Sequence, residues 1–152
     1  MDGGAALTIA FEDFHAVTTA VYRFAYALDT CDWALMRSLF ADRVEVDTTG
    51  TGQRAATHDT IAAEEFVWRV KISETGFEGT QLLLGNPIVE VDGDRADVTV
   101  CFYGEHVAAI TAGDPWYTIG GYQHWGLRRH PHGWRIDRFT LKRCGPAATA
   151  TS

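Results

Sequence analysis

Apolar residues in the first thirty positions recur every three or four: Phe11, Phe14, Val17, Val21, Phe24 and Leu28. That spacing puts them on one face and predicts an amphipathic helix. Asp32 precedes a shorter apolar set, Trp33, Met36, Leu39 and Phe40, and is expected to cap a second helix. Val44 and Val46 alternate with Glu45 and Asp47, as in a short strand. Thr60 is expected to cap a third helix carrying Ile61, Phe66, Val67 and Val70. Glu64 and Glu65 sit near its start, where the helix dipole favours carboxylates. Beyond about Thr80 the period changes to two. Leu82 to Val91 predicts a strand interrupted at Gly85-Asn86-Pro87, and Asp92-Gly93-Asp94 a hairpin turn. On the next strand Ala96, Val98, Val100, Phe102, Gly104 and His106 share one face. Trp116 to Arg129 predicts another long strand. His130-Pro131-His132-Gly133 turns it into a last one, Trp134 to Arg143.

Helices first and a hairpin-connected antiparallel sheet afterwards predict an α+β fold, with three helices packed on one face of a curved sheet. Gly85, Gly104, Gly120 and Gly121 are expected to mark bulges. Such a sheet encloses an apolar interior that suits a small molecule. The expected domain runs from residue 5 to 145, with 146–152 as a disordered tail. Apolar residues at 46% and aromatics at 12% remove intrinsic disorder. A net charge of −7 disfavours a nucleic-acid partner. No apolar run approaches the ~18 residues of a membrane span. The start, Met1-Asp2-Gly3-Gly4, shows no basic-then-apolar signal pattern, so a cytoplasmic location is expected. Cys31, Cys101 and Cys144 are odd in number and lack a C-x-x-C, so they are expected to be buried or half-buried thiols rather than disulfides or zinc ligands.

Two residues stand out chemically. His106 alternates with Val98, Val100 and Phe102, so it is either a satisfied core residue or a base in a pocket; an imidazole exchanges a proton near neutral pH. Asp29 ends the first helix. It reads either as a helix terminator or as a carboxylate on the pocket wall that orients an imidazole or takes a proton itself. Gln123 and His124 fall on opposite faces of one strand, so at most one lines a pocket, and a bulge at Gly120-Gly121 would decide which. Tyr22, Tyr26, Trp68, Tyr103, Trp116 and Tyr117 are candidate pocket walls. His15, His58, His130 and His132 read as surface or turn residues. Arg128, Arg129, Arg135, Arg138, Lys142 and Arg143 read as a mostly solvated strand face. There is no G-x-G-x-x-G, Walker-type loop, G-x-S-x-G or H-E-x-x-H. Acid–base chemistry without a cofactor or metal is therefore expected.

The string Tyr26-Ala27-Leu28-Asp29-Thr30-Cys31-Asp32-Trp33 resembles the A-x-D-x-x-D-W signature of SnoaL-like proteins, in the nuclear transport factor 2-like superfamily. The resemblance continues through Leu39-Phe40-Ala41-Asp42, Ala63-Glu64-Glu65-Phe66-Val67, Thr80 to Pro87, and Gly133-Trp134-Arg135-Ile136. It implies a cone-shaped α+β barrel that takes a small hydrophobic molecule. In the scytalone dehydratase branch an Asp, two His, Tyr residues and an amide eliminate water. By that resemblance Asp29 and His106 are the catalytic pair and Gln123 the amide. Tyr26 or Gln123 then holds a substrate oxygen, and Leu82 takes the wall position of the second His. Leu28 and Thr48 stand where the family has Tyr. The resemblance thus implies a dehydratase, cyclase or isomerase acting on an oxygenated, polyketide-like secondary metabolite, in a homodimer or homotrimer. It also allows a non-catalytic ligand-binding or assembly subunit, like the small subunit of a ring-hydroxylating dioxygenase.

Overall fold

The computed structural model describes residues 8–109 and 112–144. The expected tail, 146–152, lies outside them. Helix α1 spans Phe11–Asp29 and α2 spans Trp33–Ser38. Strands β1 (Phe40–Asp47) and β2 (His58–Ala62) follow, then helix α3 (Ala63–Ser73). The chain ends in four long strands: β3 (Phe77–Asp92), β4 (Arg95–Ala108), β5 (Trp116–His130) and β6 (Gly133–Arg143). The sheet order is β2-β1-β6-β5-β4-β3. Only β1 and β6 run parallel; every other pair is antiparallel. Among the described residues β2 and β3 remain as free edges. The sheet is therefore open and curved, and three helices pack on it, as the expected α+β class requires.

Helix α1 buries Val17, Val21, Phe24 and Leu28, as its periodicity requires. Its first turn departs from the pattern: Phe11 and Phe14 are exposed. Aspartates pin the helix at both ends. Near the start, the Asp13 carboxylate accepts two hydrogen bonds of 3.0 Å from the Arg129 guanidinium and one of 3.1 Å from Trp134 Nε1. The guanidinium holds the Asp13 carboxyl below the usual range. At the far end, Asp29 bonds β3. Asp32 caps α2 as expected, accepting from the Leu35 amide at 2.9 Å.

Two expectations about the backbone fail. Thr60 does not cap α3: it pairs with Glu45 in β2, and Ile61 pairs with Val44. A buried ladder position for a β-branched side chain outweighs the helical pattern there. The helix instead starts after Ala62, with no side-chain cap. Nor do Gly104, Gly120 and Gly121 make bulges, because β4 and β5 stay in register from Arg95↔Arg128 to Val107↔Trp116. The irregularities fall between Gly85 and Ile88, where Asn86 adopts a φ of 51°, and between Gly126 and Leu127. Gly121 has a different purpose. A Cβ there would overlap the Lys142 carbonyl oxygen and crowd Arg143, so only glycine permits β6 to approach this closely. The cysteines also differ from expectation. Cys31 and Cys144 are exposed, Cys101 is half-buried, and all three are free.

A substitution pair tests this packing. Gly121→Ala should cost about 1–3 kcal/mol in urea unfolding. Gly120→Ala, whose Cβ would meet only the Phe102 carbonyl at 3.5 Å, should stay within about 1 kcal/mol of the parent. Equal behaviour of the two variants would refute the close-approach argument.

Candidate active site

The inner faces of β4 and β5 are built by alternation. Val98, Val100, Phe102, Gly104 and His106 point inward from β4, and Gln123 and Trp125 from β5. Trp125, Phe24, Phe66 and Phe139 close the deep end. Beyond them lies a cavity of about 560 Å³, walled by Leu28, Leu82, Phe102, Ile119 and Leu141. Gly104 contributes no side chain, and a Cβ there would sit 3.7 Å from the His106 ring. This glycine helps to keep the space around the imidazole open.

His106 is 8% exposed and lines the cavity. Its Nε2 lies 3.3 Å from Glu74 Oε2, an ion pair when the imidazole is protonated. Its Nδ1 has no hydrogen-bond partner. Phe77 packs on one side of the imidazole, with ring centroids 4.6 Å apart, and Tyr117 lies 6.0 Å away. Glu74 reaches this place through local backbone geometry. It is the C-cap of α3, and Gly76, at a φ of 98°, turns the chain directly into β3. Burial pushes the Glu74 carboxyl up, the nearby charge of His106 opposes that, and Asp29 adds a smaller upward push.

Gln123 is 4% exposed, lines the cavity and leaves its amide oxygen unpartnered. His124 faces the other way, its Nδ1 2.9 Å from the Thr99 hydroxyl, and burial pushes its imidazole down. The unbroken β4–β5 register thus resolves the Gln123–His124 alternative. Leu82 forms wall, and Trp68 borders the cavity at its open side with most of its surface exposed.

The other expected site residues lie elsewhere. Asp29 does not line the cavity and makes no hydrogen bond to His106. Its carboxylate accepts from the Leu82 amide at 2.9 Å and from Gln81 Nε2 at 2.8 Å, tying α1 to β3 behind the wall. Burial raises its carboxyl, against the lowering effects of the Leu82 amide and the charge of His106. Tyr26 is 62% exposed because it lies two positions from both Phe24 and Leu28, about 200° around the helix. Tyr22 and Tyr26 flank a shallow outer groove beside Asp29. Tyr103 alternates away from Phe102, and its hydroxyl donates to Glu105 on the outer face. Trp116 alternates with Tyr117 and is 57% exposed, outside the cavity. The basic face is solvated as expected, and within it Arg128, Arg129 and Arg138 pair with Asp137, Asp13 and Asp97 respectively.

Sequence reasoning missed Glu74. A signal existed: a carboxylate in the last turn of a helix opposes the dipole and needs another reason to be there. Among the described residues no cluster of three His, Cys, Asp or Glu side chains is placed to hold a metal ion, and no helix is long and apolar enough to cross a membrane.

The SnoaL-like domain family matches residues 10–140. No curated protein matches the sequence. Solved structures share the fold at low identity. A candidate aromatic ring hydroxylase from Novosphingobium aromaticivorans superposes with a TM-score of 0.79 at 21% identity, over 91% of this chain and 94% of that one. A candidate dehydratase of the NTF2-like family from Streptomyces avermitilis gives 0.76 at 18%, over 90% and 99%. A candidate scytalone dehydratase from Novosphingobium aromaticivorans gives 0.73 at 17%, over 88% and 85%.

The half-buried Glu74 carboxyl makes a testable stability signature. Its proton is held more tightly in the folded chain than at the ordinary value of 4.5. That contribution is complete below the ordinary value and is lost as pH rises through the raised one. Glu74→Gln should therefore raise the melting temperature at about pH 8 and leave it nearly unchanged at about pH 4. A variant that melts lower than the parent at the higher pH would show that the His106 pairing outweighs burial.

Proposed function

The chain belongs to the SnoaL-like domain family of the nuclear transport factor 2-like superfamily, and from that premise we propose a cofactor-independent acid–base enzyme centred on His106. The observation that supports it best is a buried imidazole, beside a half-buried carboxylate, that lines an apolar cavity and keeps one ring nitrogen unpartnered. Glu74 favours the tautomer with its proton on Nε2, which leaves Nδ1 as the basic nitrogen. In the proposed reaction Nδ1 removes a proton from a carbon next to a substrate carbonyl, and Glu74 stabilises the imidazolium that forms. The Gln123 amide donates to the carbonyl oxygen as it gains enolate character. The same imidazolium then returns the proton. Delivery to a hydroxyl loses water, delivery to another carbon isomerises, and attack of the enolate on a second carbonyl closes a ring. The apolar walls favour a small, hydrophobic, oxygenated metabolite. Asp29 enters as a positioning residue that fixes α1 against β3 and shapes the field at His106.

A second reading, a ligand-binding or assembly subunit, draws support from Leu28 and Leu82. They make apolar wall where the resemblance implied Tyr and His.

Deuterium exchange separates the readings. Hydrophobic β-hydroxy ketones incubated in heavy water with the protein should incorporate deuterium next to the carbonyl. His106→Ala should slow that exchange by about 10²–10⁴-fold, and Glu74→Gln by about tenfold or more. Full exchange in His106→Ala would end the enzymatic proposal. Binding without exchange in the parent protein would favour the second reading.

A further inference from the structure

The cavity has a charged residue that proton transfer does not use. Two arginines border it, Arg69 and Arg143. Arg69 is neutralised: its guanidinium bonds Asp59 at 3.1 and 3.2 Å and Glu65 at 2.6 Å. Arg143, half-buried at the end of β6, has no carboxylate partner among the described residues. Its contact is with the Tyr117 ring, 6.0 Å from the guanidinium carbon. That ring lies a further 6.0 Å from the His106 ring. Tyr117 thus spans the gap between a free cation and the proposed base, and all three border one space. The five other basic side chains of the β5–β6 hairpin lie outside the cavity, so the placing of Arg143 is particular to it.

We propose that the substrate carries a carboxylate that Arg143 receives, with its apolar body along Tyr117 and its reacting carbon at His106. The proposal rests on reading the cavity as a substrate site. A guanidinium matches a carboxylate through two parallel N–H donors. Glu74, when ionised, repels the same group at the His106 end. The two charges therefore impose one orientation on an otherwise apolar ligand.

Isothermal titration calorimetry of the full chain with naphthoate and with naphthamide tests this. The two probes match in shape and differ in charge. Naphthoate should bind about tenfold or more tightly than naphthamide, with the advantage falling at high salt. Arg143→Gln should erase the difference, and Arg143→Lys should keep part of it. His106→Asn should retain it, so failure of the catalytic reading and failure of this one are separate results. Equal affinities in the parent, a preference that survives Arg143→Gln, or no binding of either probe would overturn the proposal.

Discussion

The structure depends on where one aromatic cluster stops. Phe24 from α1 meets Trp125 from β5 at 4.8 Å, and Trp125 meets Phe139 from β6 at 4.6 Å. Phe66 from α3 joins at 5.6 Å from Phe139 and touches Phe40 at 4.9 Å. Each ring buries a large apolar area, and the tilted and edge-on arrangements add to that burial. The cluster therefore fixes two helices and three strands relative to one another. Phe24, Phe66 and Phe139 also present a side to the cavity, so the end of the core is the wall of the site. Core and pocket are one continuous surface, and a change in these rings acts on both.

Three carboxylates show how differently one chemical group can be used. Asp13 sits between Arg129 and Trp134, and its charge is fully matched. Asp29 is half-buried and matched by an amide and a backbone N–H, which fixes α1 without a counter-charge. Glu74 is half-buried between the His106 imidazole and the Ser73 hydroxyl, at a helix end whose dipole already disfavours it. The first two stabilise the placement of α1. The third lacks such matching, and burial pushes its carboxyl up.

Much of the fold was legible in the sequence because its signals are local. Periodicity located α1 and the four long strands, and Asp32 capped α2. The β2 segment is not legible locally, because Thr60 followed by an apolar helix face imitates a cap. What decided against it was Val44, on another strand, offering Ile61 a buried ladder partner. The site was legible where alternation alone controls direction, as at His106. It was not legible for Asp29, whose partners Gln81 and Leu82 lie more than fifty residues away. Tyr26, Tyr103 and Trp116 were expected at the wall on ring chemistry, but backbone phase turned each outward.

By itself the sequence determined the periods, the turns and therefore the α+β class, because these follow from the spacing of apolar residues and the conformations of a few turn residues. It also placed His106 on the inner face. Only the tertiary structure decided that Glu74 rather than Asp29 stands beside the imidazole, that Gln123 rather than His124 faces inward, and that Arg143 is left without a carboxylate. Each of those outcomes depends on strand register and on how a helix end is carried across a sheet. Those are distances between residues far apart in the chain, and no local pattern encodes them.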